Sequence, residues 1–118
     1  MSLETAKLWC VKADNDFKAG SDELATENPA TDTVCFHMQQ CVEKYLKAFL
    51  VNNNIEIPKT HNIALILQKC IDTEDRFISL KMIGLDILTS YAVQTRYPDD
   101  YSLLFHFFMS FLVKKDFQ

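Results

Sequence analysis

Residues 35–50 read CFHMQQCVEKYLKAFL, and this stretch decides the fold. Val34, Met38, Cys41, Val42, Tyr45, Leu46 and Phe49 recur at intervals that a helix of 3.6 residues per turn gathers onto one broad apolar face. Gln39, Gln40, Glu43, Lys44 and Lys47 fall on the opposite side and read as a solvated surface. Glu43 precedes Lys47 by one helical turn in the favourable order, a pairing worth about 0.2–0.5 kcal/mol on an exposed helix. The pattern predicts a helix from about Asp32 to Asn52. Asn52, Asn53 and Asn54 end it, and Ile57 with Pro58 forms an extended link.

Upstream, Leu3, Ala6, Cys10, Ala13 and Phe17 fall on a second helical stripe, widened by Trp9, with Ser2 as a cap and Gly20 as a stop. Residues 21–33 are polar, contain Pro29 and read as a loop. Downstream, Thr60 is the expected N-cap of a third helix whose stripe is Ile63, Ile66, Leu67, Cys70 and Ile71. After a break at Asp72–Asp75, a fourth helix is expected from about Arg76 to Thr95. It carries Phe77, Leu80, Gly84, Ile87, Leu88 and Tyr91 on one face, and Ile78, Met82, Leu85 and Ala92 widen it. Gly84 marks a close helix approach, and Pro98 stops the element. Asp99 and Asp100 suit the N-terminal end of a fifth helix and Lys114 and Lys115 its C-terminal end. Between them Leu103–Val113 is apolar all round, which suits a core helix that also meets a second subunit; it is too short to span a bilayer.

Composition agrees. The 118 residues suit a single domain, with 48% hydrophobic residues against 2 Gly and 3 Pro, too little turn chemistry for a many-stranded sandwich or barrel. No alternating strand pattern, repeat or low-complexity tract appears. The expected architecture is therefore all-α, an up-and-down bundle of four to five helices spanning residues 1–118. A net charge of −4 argues against coating nucleic acid through bulk charge, so any such contact is local. Met1–Phe17 interleaves charges with apolar residues and lacks a signal-peptide pattern, which points to a cytoplasmic protein without a membrane anchor. Cys10, Cys35, Cys41 and Cys70 lie within helical apolar patterns, with no CxxC, and read as reduced core thiols.

Glycine-rich phosphate loops, HExxH, GxSxG and EF-hand spacing are all absent. His37 and Cys41 stand one turn apart, yet a structural zinc site wants four ligands and the others would have to come from apolar stripes. No metal and no cofactor are assigned, and no nucleophile, base and orienting acid emerge as a set.

Four segments in order carry a resemblance: Trp9 with Ala13 and Asp16, CFHMQQCVEKYLKAFL from Cys35 to Leu50, PKTHNIALIL from Pro58 to Leu67, and TRYPDDY from Thr95 to Tyr101. Together they resemble the HEPN family, the higher eukaryotes and prokaryotes nucleotide-binding domain, over roughly residues 3–101. The resemblance implies a helical bundle, commonly a homodimer, acting beside a minimal nucleotidyltransferase in a two-component system of toxin–antitoxin type. Many members are metal-independent ribonucleases in which an Arg is followed by a His with four to six residues between them. From Arg96 that spacing reaches Tyr101, Ser102 or Leu103, and His106 lies farther along.

Without an imidazole there, the general acid–base part of RNA cleavage has no obvious carrier, and no catalytic residue is assigned. The expected activity is binding of a nucleotide or RNA phosphate. Arg96 leads the candidate site because a guanidinium beside a proline-enforced turn presents a fork to phosphate or carboxylate; pairing with Asp99 or Asp100 is its structural alternative. Tyr97 and Tyr101 offer stacking surfaces or hydroxyls. Glu43, Lys44 and Lys47 would line the same groove, with Glu43 holding Arg96, or form only a solvated helix face. His61 either fixes the start of the third helix or faces the groove. Two rivals stand beside this reading: a ribonuclease toxin using Arg96 and a displaced His106, and a structural adaptor that docks another protein through the apolar fifth helix.

Overall fold

In chain order, the computed structural model, which describes residues 2–82, builds helix α1 (Ser2–Leu24), helix α2 (Thr31–Asn52), helix α3 (Ile63–Thr73), a 3₁₀ turn at Asp75–Phe77, and helix α4 (Ile78–Met82). There is no strand among the described residues, and the architecture is an all-α helical bundle. The expectations for the rest of the fourth helix with Gly84 and Pro98, and for the apolar fifth helix, lie outside the described residues.

α1 and α2 make the most extensive contact. They run antiparallel, since Gly20 meets His37 and Met38 while Trp9, near the other end of α1, meets Lys47. The α1 side of this seam is small: Ala6, Cys10, Ala13 and Gly20 are all buried. Leu3, placed on the stripe by its spacing, is exposed instead.

Gly20 does not stop α1, which continues one further turn to Leu24. A Cβ at residue 20 would lie 2.9 Å from Met38 Cε and 3.3 Å from His37 Cβ. Glycine is there because α2 approaches closely, and packing overrides a propensity deficit of about 1 kcal/mol relative to alanine. The helix ends where side chains take over: Thr26 Oγ1 donates to the Glu23 carbonyl at 2.7 Å, and the Glu23 carboxylate accepts from the Ala30 N–H at 2.9 Å. Ala30 is itself the N-cap of α2 and has no capping side chain, so Glu23 fastens the loop that joins the two helices.

The asparagine run ends α2 as expected, and its geometry shows why. Asn54 is in the left-handed region at φ 58°, the conformation asparagine tolerates better than most residues. Its N–H bonds the Val51 carbonyl at 3.0 Å, and the Ile55 N–H bonds the Leu50 carbonyl at 2.9 Å. These are the paired bonds of a Schellman motif. Asn53 adds its side-chain amide to the Phe49 carbonyl at 2.8 Å.

α3 begins one step later than its first cap signal. Asn62, not Thr60, is the N-cap, its Oδ1 accepting from the Ala64 N–H at 2.9 Å. Thr60 accepts instead from the Asn62 N–H at 3.0 Å. With Ile63 as the first helical residue, only Asn62 reaches the second free amide of the turn, and the threonine forms the bend before it.

The core is continuous. Tyr45, Leu46 and Leu50 of α2, Ile63, Ile66 and Leu67 of α3, and Phe77 and Leu80 beyond them are fully buried. Phe49 and Phe77 pack with ring centroids 4.5 Å apart at a tilt of 52°. Ile78 and Met82, expected to widen the buried face of the fourth helix, are exposed. Among the described residues, no helix is long and apolar enough to cross a membrane.

Candidate functional site

The polar residues of α2 do not form the solvated face that their alternation suggested. Glu43 and Lys47 are buried, and Lys44 is largely covered. They divide into two ionic clusters, because consecutive helical positions point about 100° apart.

The first cluster centres on Glu43, whose side chain is 3% exposed. Its Oε2 accepts from Lys47 Nζ at 2.8 Å and lies 2.9 Å from Nδ1 of His61, in the link before α3. Lys47 Nζ also stands 5.6 Å from the centre of the Trp9 ring on α1, within cation–π range. One buried carboxylate thus ties together side chains from α2 and the α3 approach, and its lysine partner reaches the single tryptophan on α1. Glu43 Oε1 is buried and has no hydrogen-bond partner among the described residues. A carboxylate sealed from water with one oxygen unsatisfied costs about 1–3 kcal/mol, so this acceptor is suited to a donor delivered from elsewhere. His61 is the outward member of the set, with its side chain 81% exposed. A shallow depression lined by Thr5, Leu8, Trp9 and Lys12 adjoins the tryptophan.

The second cluster centres on Asp16 of α1, itself nearly buried. His37 Nδ1 lies 2.8 Å from Asp16 Oδ1, and Lys44 Nζ donates to Asp16 Oδ2. His37 also meets the exposed Phe36 ring edge-on, at 5.3 Å between centroids. Sequence reasoning did not join these residues. The signal was available in Asp16 itself, a carboxylate one turn beyond Ala13 on the flank of the apolar stripe, where burial demands cationic partners.

Around the clusters the chemistry is closed. Tyr45 donates its hydroxyl to Asp14, and burial followed by that carboxylate pushes the phenol far up. Burial, helped by Asp14, pushes the Cys10 thiol up to about 11, and burial lifts Cys41 and Cys70 higher. All four cysteines are buried, which makes them inert core thiols. Among the described residues no group of His, Cys, Asp and Glu is arranged to hold a metal ion.

Of the expected site residues, the structure brings Glu43, Lys47 and His61 together and assigns Lys44 to Asp16 instead. The lysines are engaged by carboxylates, and Lys47 is too buried to attract phosphate from solvent. Arg96, Tyr97 and Tyr101, like His106, lie outside the described residues.

Comparison with known proteins supplies the remaining findings. The HEPN domain profile matches residues 6–114. A protein of Methanocaldococcus jannaschii named "Putative toxin MJ1304" is 33% identical over 107 residues, covering 85% of this chain and 68% of its own length. No solved structure matches the chain at a significant level.

Proposed function

Because this chain belongs to the HEPN domain family, we propose that it is the helical member of a two-component pair of toxin–antitoxin type. In this reading it binds a nucleotide or RNA phosphate and engages a minimal nucleotidyltransferase. The name of the archaeal relative, a toxin, supports the first part of this reading. The chain would act as a single-domain cytoplasmic homodimer, with Arg96, Tyr97 and Tyr101 supplying the ligand contacts.

The observation that carries the reading is the unsatisfied oxygen of Glu43. A buried carboxylate with Lys47 and His61 on one oxygen, and no partner on the other among the described residues, is a fitting for a cationic fork. Arg96 is the residue proposed to fill it, held by Glu43 with its remaining N–H groups turned to the phosphate. His61, at the exposed edge, would add an imidazole contact to the ligand. Glu43 and Lys47 then serve as supports of the site rather than as direct phosphate ligands, while Lys44 is paired with Asp16 and stands apart from them.

Calorimetric titration with ATP and with a short RNA, on wild type and Arg96→Ala, tests the proposal. Binding heat that falls sharply in the variant is the expected result. A clean dimer with no heat for either ligand would refute it and favour the adaptor reading. The toxin-named relative also keeps a ribonuclease in view. That version requires RNA cleavage in the presence of a chelator, lost in both Arg96→Ala and His106→Ala.

A further inference from the structure

We infer that His37 and Lys44, held side by side by Asp16, form a second phosphate-binding site that takes the 5′-phosphate of a nucleotide, with Phe36 as the platform for its base. The inference rests on the proposed reading only for the ligand class, since its residues are separate from Arg96 and from the Glu43 cluster.

The geometry is that of two donors in front of one recessed acceptor. The Asp16 side chain is 12% exposed, while those of His37 and Lys44 are 27% and 22% exposed. The carboxylate is thus the least exposed of the three groups. Each of its oxygens engages one partner, fixing both side chains and lowering the ordering entropy that a flexible lysine would otherwise lose on binding. The ammonium keeps two further N–H donors after one is given to Asp16. With His37 Nδ1 committed to the carboxylate, Nε2 at the tip of the ring remains for the ligand. When it carries a proton, the cluster bears one net positive charge, and it gives a phosphate oxygen a charge-assisted donor from each side chain.

A helix clamp alone does not account for what surrounds the cluster. Lys44 by itself would neutralise Asp16. Histidine instead continues the arrangement outward to Phe36, a residue that is 54% exposed and whose ring meets the imidazole edge-on. An exposed aromatic ring beside two phosphate donors is the usual composition of a nucleotide contact, stacking on the base while the cations take the phosphate.

The experiment is a titration of the full chain with AMP, inorganic phosphate and adenosine, read by calorimetry and by the imidazole resonances of His37. AMP should bind and shift those resonances. Phosphate should shift them at higher concentration, and adenosine should perturb Phe36 more than His37. His37→Gln and Lys44→Gln should each weaken AMP binding at least tenfold, and Phe36→Ala should weaken AMP while sparing phosphate. Thermal unfolding checks that each variant folds, and Lys44→Arg should recover most of the affinity lost in Lys44→Gln. In Arg96→Ala the His37 shifts should persist. AMP heat that vanishes in Arg96→Ala, with unmoved His37 resonances in wild type, would overturn this site and leave the Arg96 site standing. Heat lost in Lys44→Gln but intact in Arg96→Ala would support this site and count against the other.

Discussion

Replacing Lys47 by Met tests whether the Glu43 cluster is a buried ionic site or a surface pair that happens to be covered. The salt bridge is 2.8 Å long, with the two side chains 9% and 3% exposed. Methionine retains most of the aliphatic stem but leaves the carboxylate with His61 as its partner, and breaking a buried pair from one side costs about 3 kcal/mol. Glu43→Leu, which strands the ammonium over Trp9, should cost about as much. In the double variant no charge is stranded, and stability should return to within about 1 kcal/mol of wild type. The coupling is then about 5 kcal/mol. Urea unfolding followed by circular dichroism reads each single variant as a midpoint shift of about 1–3 M, for a slope in the usual range of roughly 1–3 kcal/mol/M. Lys18→Ala, which removes an exposed pair with Asp22, serves as the control and should leave the midpoint unchanged. Single variants within about 0.5 kcal/mol of wild type, or a double variant equal to the sum of the singles, would refute the reasoning.

Three further outcomes follow from the local geometry. Asn62→Ala should destabilise the protein by about 1 kcal/mol through loss of the α3 cap, and Thr60→Ala by clearly less; the reverse order in urea unfolding would return the cap to Thr60. Asn54→Gly should raise stability by about 0.5 kcal/mol and Asn54→Val lower it by about 1–2 kcal/mol, because the position is left-handed; equal midpoints for the two would contradict that. The buried thiols sit above their ordinary value of 9.0, with Cys10 near 11. A group whose value is raised by folding stabilises the fold fully below its unfolded value. Stability should therefore hold up to about pH 9 and fall as pH climbs through 11. Urea midpoints measured from pH 7.5 upward would show it, and a flat profile to pH 11 would exclude it.

The apolar periodicity made the helices legible because burial follows it closely. Val34, Met38, Cys41, Tyr45, Leu46 and Phe49 are all buried, as are Ile63, Ile66, Leu67 and Cys70. Local signals competed where tertiary contact decides. Gly20 carries the composition of a stop but meets Met38 and His37 across the seam, and Thr60 carries the composition of a cap but lies one bend too early. The site was harder to read for the same reason. Periodicity sorts residues into apolar and polar faces, and Glu43 and Lys47 were assigned to the polar face on chemistry alone. Their burial depends on Trp9 and His61, which are distant in sequence, and a single helix pattern carries no information about what covers it. The link between Asp16, His37 and Lys44 spans 28 residues and required the antiparallel pairing of α1 and α2 to become visible.

Trp9 gives the ionic cluster a built-in optical readout. The chain contains one tryptophan, and the fold sets its indole beneath the ammonium of Lys47, so the whole of the indole emission originates beside the candidate site. Any event that draws Lys47 away, whether capture of Glu43 by another cation or docking of a second protein over the depression at Leu8 and Lys12, removes a nearby positive charge from the excited ring. Fluorescence of the unlabelled protein can therefore follow occupancy in real time, with no reporter group introduced.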